Sequence, residues 1–136
     1  MITSVEEFVR LRCSEKIEEY ERAAKEEAPI EVWESIIKEH KDMREWVAYN
    51  KTVPLSILEI LSYDTDPKVR WFVAQKRKLN RKIFEKLASD SDETVRQRIA
   101  YNKKTPLDIL EKLKNDESLI VSEAAKEIYA TRIARQ

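Results

Sequence analysis

Arginine and aspartate recur along this chain at a fixed interval, and both are residue types that bind ligands or take part in catalysis. The interval of 26 residues separates successive members of two sets, Arg44, Arg70 and Arg96, and Asp64, Asp90 and Asp116. A row of guanidinium groups could bind an anionic ligand. The alternative is an internal ladder, in which each arginine bridges an aspartate of a neighbouring repeat and caps loop carbonyls. We favour the ladder, because a binding site rarely needs the same residue in every repeat.

Other residues that could carry chemistry are few. His40 is the only histidine and Cys13 the only cysteine, so we expect no metal cluster, no disulfide and no nucleophile–base pair. Glycine is absent, which excludes glycine-rich phosphate loops and dinucleotide-binding fingerprints. The sequence therefore predicts a protein without catalytic residues, metal or cofactor.

The same interval extends to apolar positions, among them Ala48, Ala74 and Ala100. A fixed period of this size is typical of stacked repeats, in which each repeat buries its apolar face against its neighbours. In the repeat 54–79, leucines at helical spacing predict a helix A over 54–62 with Pro54 as its first residue. Asp66 followed by Pro67 predicts the start of a helix B over about 67–77.

The repeats predict one all-α domain, an α-solenoid spanning 1–136. We expect N-terminal capping helices over 1–28, repeats over 29–117 and a C-terminal capping helix over 118–136. Ser4 and Glu7 have the spacing of a capping box, and 15–27 is expected to be a degenerate helix B. Asn50 and Asn102 are expected to cap loops.

The segments 69–74 (VRWFVA) and 95–102 (VRQRIAYN) carry a family pattern. It resembles the leucine-rich repeat variant motif, a branch close to HEAT-like helical repeats, over about 29–121. The resemblance implies a right-handed superhelix of short helical pairs and little about function. Some members of that family hold a cysteine-bound iron–sulfur cluster, which Cys13 alone cannot bind. HEAT-like alkylpurine DNA glycosylases are longer and need an acidic residue in an aromatic-lined pocket, for which no position here matches convincingly. An enzyme related to these glycosylases is therefore the third and least favoured hypothesis.

One face of the predicted B helices carries aromatic and basic side chains. We call it the strip; its candidate partner-binding residues are Tyr49, Trp71, Gln75, Lys78, Gln97, Tyr101 and Lys104. B helices line the concave side of such arrays, so the strip predicts a surface for another protein. The alternative is that these rings only cover the apolar seam between repeats.

A second candidate surface is basic. Lys76, Arg77, Lys78, Arg81, Lys82 and Lys86 lie across the junction of two predicted repeats. With aromatic rings nearby, such cations suit phosphate contact and base stacking, which makes 68–104 a candidate nucleic-acid surface. The alternative is an ordinary solvated face, because the net charge of the chain is zero.

The charge is nevertheless uneven, since residues 1–42 carry a net charge of −5 and residues 43–104 a net charge of +6.

No apolar stretch approaches the length of about 18 residues that a membrane span needs, and the N-terminus lacks the pattern of a secretion signal. We expect a cytoplasmic, non-catalytic scaffold or adaptor that binds another protein. One form would be an immunity or antitoxin-like inhibitor, as in other small bacterial helical proteins. The alternative is a nucleic-acid-binding protein.

Overall fold

The computed structural model describes residues 1–136, and it is all-α, as predicted. It contains ten α-helices, one short 3-10 helix at Lys41–Met43 and no β-strand. The α-helices are α1 (Val5–Arg12), α2 (Ile17–Lys25), α3 (Ile30–Glu39), α4 (Arg44–Tyr49), α5 (Leu55–Leu61), α6 (Pro67–Ala74), α7 (Arg81–Ala88), α8 (Glu93–Tyr101), α9 (Leu107–Leu113) and α10 (Leu119–Ala134). They form two compact units, an N-terminal unit (Met1–Tyr63) and a C-terminal unit (Asp64–Gln136).

The N-terminal unit has α1 packed against α2 and α3, while α4 contacts α2, α3 and α5. Its core includes the edge-to-face pair of Phe8 and Trp33, whose ring centroids are 5.5 Å apart. Both rings are buried, together with Leu11, Ile36 and Val47. Burial of such large side chains supplies most of the free energy that holds short helices together, since helices this short are marginal alone.

The C-terminal unit is centred on α8, which contacts α6, α7, α9 and α10. Val95, Ile99 and Ala100 of α8 are fully buried, and Leu87 and Leu110 pack into the same core. A helix, α10, lies where the C-terminal capping helix was predicted. No helix combines the length and the hydrophobicity that a bilayer span requires.

Side-chain caps start several of these helices. The Asp66 carboxylate accepts a hydrogen bond from the backbone N–H of Lys68 at 2.9 Å, with Pro67 as the first helical residue, as predicted. Asn80 and Asp92 cap α7 and α8 in the same way. Each cap satisfies a backbone N–H that the first turn of a helix otherwise leaves without an acceptor.

The predicted boundaries were wrong at two places. Pro54 precedes α5 as its N-cap, because its ψ of 157° is extended rather than helical. Helix α6 ends at Ala74 instead of 77, since the chain turns after Gln75 to bury Leu79 before α7 begins. The predicted capping box is also altered: Ser4 accepts from the N–H of Glu7, but the Glu7 carboxylate accepts from the N–H of Thr3.

Candidate partner-binding surface

Two buried asparagines tie the end of one helix to another helix. The Asn102 amide donates to the carbonyls of Ala74 and Lys76 at 2.8 and 2.7 Å, at the C-terminal end of α6. Asn50 likewise donates to the carbonyls of Ala23 and Glu26 at 2.7 and 3.0 Å, at the end of α2. Ala74 and Ala23 lie in the last turns of α6 and α2, and Lys76 and Glu26 lie just after those helices. Carbonyls at a helix end lack an intrahelical donor. The capping role predicted for both asparagines is confirmed.

The arginines and aspartates of the C-terminal unit form a continuous ladder. The Arg70 guanidinium donates to both carboxylate oxygens of Asp90, at 2.7 and 3.0 Å, and Arg96 does the same to Asp116 at 2.9 and 3.1 Å. Arg96 also donates to the backbone carbonyl of Asp90 at 2.7 Å. These hydrogen bonds raise the pKa of Arg70 and Arg96 above the ordinary value for arginine. Their donors are committed within the unit, which favours the structural interpretation of these residues.

Arg44, the first arginine of the set, lies in the N-terminal unit. Its Nε donates to the carbonyl of Ile37 at 2.6 Å, at the end of α3. This is the loop-capping half of the predicted role. The guanidinium of Arg44 therefore donates to a backbone carbonyl, as those of Arg70 and Arg96 also do.

In the C-terminal unit, Trp71 lies on α6, Gln97 and Tyr101 lie on α8, and Gln75 directly follows α6. Helices α6 and α8 contact each other. Trp71, Gln75 and Gln97 are half-buried, whereas Tyr101 is 41% exposed. The Trp71 ring packs edge-on against Phe72, with centroids 5.3 Å apart. Trp71 therefore partly covers the apolar surface, as the alternative interpretation expects, while Tyr101 leaves much of its ring to solvent.

Lys78 and Lys104 do not lie on the helices, contrary to the spacing argument. Both are exposed, but α6 ends at Ala74 and α8 at Tyr101, so each lysine stands in the connection that follows. Helix α8 stops because Asn102 takes an extended conformation, with ψ of 121°. The Asn102 side chain then accepts from the N–H of Lys104 at 2.9 Å and fixes that turn.

The six residues of the basic surface differ in how exposed their charges are and in whether a carboxylate already pairs with them. Arg77, Lys78, Arg81 and Lys82 are exposed, and Lys76 and Lys86 are half-buried. Arg81 is bonded to the carboxylates of Asp108 and, at 2.7 Å, Glu85, and these bonds raise its pKa above the ordinary value. Burial lowers the pKa of Lys86, although Asp90 acts in the opposite direction. The charge of Arg81 is therefore already paired with two carboxylates of the protein.

Tyr49, the strip residue of the N-terminal unit, borders a cleft of about 270 Å³. The cleft is lined by Arg12, Tyr20, Ala23, Ala24, Trp46 and Tyr49. Tyr49 is 47% exposed, and its ring meets that of Trp46 edge-on at 6.1 Å between centroids. Helices α2 and α4, which carry five of the six lining residues, contact each other.

The guanidinium of Arg12 lies over two of these rings. Its Cζ lies 3.5 Å from the ring centroid of Trp46 and 5.6 Å from that of Tyr20. A cation over an aromatic face is attracted by the negative potential of that face. The cleft thus combines one positive group with three aromatic rings and two small apolar side chains.

Sequence reasoning missed Arg12, Tyr20 and Trp46. A signal for Tyr20 was present, because aligning Ala23 with Ala48 places Tyr20 in the same helical position as Trp71. Trp46 is not a member of the strip, and Arg12 lies on α1, outside the repeated pattern. Nothing in the spacing of the residues links α1 to α4.

No group of three or more His, Cys, Asp or Glu side chains is placed to hold a metal ion. No protein-family model matches this chain, and the searches for similar curated proteins and for similar solved structures found no significant match.

Proposed function

We propose that this chain is an α-helical repeat protein of the right-handed solenoid type, related to HEAT-like repeats, that binds another protein without catalysis. The repeat interpretation is supported by where the helices begin. Helices α5, α7 and α9 begin at residues 55, 81 and 107, and α6, α8 and α10 at residues 67, 93 and 119. The Arg–Asp pairs of the ladder, each 20 residues apart in the chain, recur at the same interval.

The observation that carries the binding proposal is the exposure of Tyr49 and Tyr101. Both are the last residue of their helix, and each directly follows a fully buried alanine, Ala48 or Ala100. At this equivalent position the ring is 47% exposed in Tyr49 and 41% exposed in Tyr101. Tyrosine contributes a large contact area and loses little conformational entropy on binding, so it is enriched where proteins bind proteins.

A protein partner fits the charges better than a nucleic acid does. Phosphate binding depends on cations that can release their counterions, and its affinity grows with their number. Arg81, at the centre of the basic surface, is already paired with Asp108 and Glu85, and Lys86 is half-buried. The strip keeps exposed rings, which suit contact with a protein. An inhibitor that blocks a toxin-like partner is one form that such a module can take.

The test is capture of a partner from the source cells, followed by calorimetry with that partner purified. Tyr49→Ala and Tyr101→Ala are expected to weaken the affinity about tenfold or more, because truncating an interface anchor costs upwards of about 1.4 kcal/mol. Ile60→Ala is the matched control: Ile60 is an exposed apolar residue of α5, outside the strip, and its loss should leave the affinity unchanged. Equal affinities for the wild type and both tyrosine variants would eliminate the strip as the contact surface.

The nucleic-acid alternative has its own test, fluorescence anisotropy with duplex DNA and single-stranded RNA at increasing salt. Arg77→Glu combined with Lys78→Glu removes two exposed cations of the basic surface. We expect no binding that falls steeply with salt and is abolished by this double change. If such binding is found, the basic surface replaces the strip as the functional one.

A further inference from the structure

The N-terminal unit contains four arginines, and three of them have hydrogen-bond acceptors. Arg10 pairs with Glu19 at 2.6 Å, Arg22 with Glu26 at 2.5 Å, and Arg44 donates to the carbonyl of Ile37 at 2.6 Å. Arg12 has only the rings of Trp46 and Tyr20 as neighbours of its charge. This unit has 14 acidic residues against 9 basic ones, yet no carboxylate is placed on Arg12.

The stacking fixes which direction an acceptor can come from. The N–H donors of a guanidinium lie in its own plane. A ring 3.5 Å from Cζ covers one face of that plane and leaves the edge available. Tyr20 is the second ring beside Arg12, with its centroid 5.6 Å from Cζ. An acceptor entering the cleft therefore meets an Arg12 that is held in place and whose donors are free.

We propose that this cleft binds a carboxylate side chain, carried by an apolar segment of the protein partner. A carboxylate matches the guanidinium fork with two parallel hydrogen bonds. The cleft volume of about 270 Å³ accommodates an acidic side chain and part of a neighbouring residue. Ala23, Ala24 and the Tyr49 ring supply the apolar contact for that neighbour.

A polyanion fits this cleft less well than one carboxylate does. Arg12 is the only cation among the lining residues, and the N-terminal unit has a net charge of −5. Phosphate-binding sites usually supply several hydrogen-bond donors and more than one positive charge to the dianion. Here the single guanidinium of Arg12 and the negative net charge of the N-terminal unit favour a ligand with one negative charge on an otherwise apolar segment.

This inference rests on the proposed protein-binding function, but it is tested without the partner. The probe is the peptide acetyl-Leu-Glu-Leu-amide, and its matched control is acetyl-Leu-Gln-Leu-amide. The readout is the indole N–H signals of the three tryptophans in a nitrogen-15 NMR spectrum at low salt, with Trp46 assigned through Trp46→Phe. We expect the glutamate peptide to shift the Trp46 signal in a saturable way and to leave Trp33 and Trp71 in place. The glutamine peptide is expected to bind about tenfold more weakly or not at all.

Three variants show whether Arg12 is responsible. Arg12→Met keeps an unbranched stem over Trp46 and should abolish the difference between the two peptides. Arg12→Lys keeps the charge but loses the fork, and should weaken binding about tenfold. Arg10→Gln, which changes an arginine already paired with Glu19, is the control and should bind as the wild type does. An unchanged signal from Trp33, buried against Phe8, shows that each variant is folded.

Equal shifts with both peptides, or a shift that survives Arg12→Met, would overturn the assignment. Tighter binding of inorganic phosphate than of the glutamate peptide would overturn it too, in favour of a phosphate site. The two proposals fail separately. Loss of partner capture in Tyr101→Ala without any peptide shift removes the carboxylate cleft alone. A glutamate-dependent shift together with full capture by Tyr101→Ala removes the contact at Tyr101 alone, because Tyr101 lies outside the cleft.

Discussion

The guanidinium of Arg70 makes two hydrogen bonds to the carboxylate of Asp90, twenty residues further along the chain, where the two side chains are only 11% and 2% exposed. Arg70→Gln is expected to lower the free energy of unfolding by about 3–5 kcal/mol, because it leaves the Asp90 charge buried without its partner. Urea denaturation followed by circular dichroism measures this loss.

Arg81 provides the control for that experiment. It also pairs with two carboxylates, but it is exposed to solvent. Arg81→Gln should therefore lower the free energy of unfolding far less than Arg70→Gln does, because solvent screens an exposed ion pair. Similar losses in the two variants would show that burial does not govern the strength of these pairs.

Arg98 differs from its neighbour Arg96 in having no hydrogen-bond acceptor. It occupies the position that Phe72 and Trp46 hold in the other repeats, it is half-buried, and burial lowers its pKa. Arg98→Met is expected to raise the free energy of unfolding by about 1 kcal/mol, because an apolar side chain incurs no desolvation penalty there. Arg96→Met, two residues earlier, should lower it. Destabilisation by both changes in the same denaturation assay would contradict this account.

Asn102 should contribute to stability through the two carbonyls that it caps. Asn102→Ala is expected to cost about 1–3 kcal/mol, because the carbonyls of Ala74 and Lys76 lose a donor in a buried place. The amide of Lys104, which donates to Asn102, should also exchange with solvent faster. Asn115→Ala, at an exposed asparagine, should change stability by less than about 0.5 kcal/mol. Slow exchange of Lys104 in the Asn102 variant would rule out the capping role.

Acid should destabilise the ladder at Asp116. Burial acts to raise the pKa of this carboxyl, but hydrogen bonds from Arg96 and the N–H of Ser118 outweigh it, and the net pKa lies below the ordinary 3.8. A lowered folded-state pKa means that the stabilisation is complete above 3.8 and disappears as the pH falls through the folded-state value. Thermal melts across acidic pH should show a steeper loss of stability in the wild type than in Asp116→Asn. Parallel curves would exclude a contribution from Asp116.

The sequence predicted the parts of the structure that recur. The helical class, the Asp66–Pro67 helix start and the Arg–Asp pairing all followed from residues at a fixed interval. The boundary errors have local causes, since Pro54 is compatible with a cap as well as with a first helical residue. Spacing alone does not distinguish those two conformations.

The cleft of the N-terminal unit could not be predicted in this way. Arg12 and Trp46 lie on α1 and α4, and their contact is a single event in the chain. A stacking interaction between distant residues has no period and no characteristic local pattern. Tyr20 alone could have been recognised, from the alignment of its helix with the later repeats.

Asp90 takes part in two pairings at once, accepting from Arg70 through its carboxylate and from Arg96 through its backbone carbonyl. Consider a copy of residues 81–106 inserted after residue 106. The aspartate of the copy would pair with the original Arg96, and the arginine of the copy would pair with Asp116. Both junctions of the insert would then have their charges matched. A gene that duplicates this block in frame could lengthen the protein without creating an unpaired buried ion, which offers evolution a simple way to change its size.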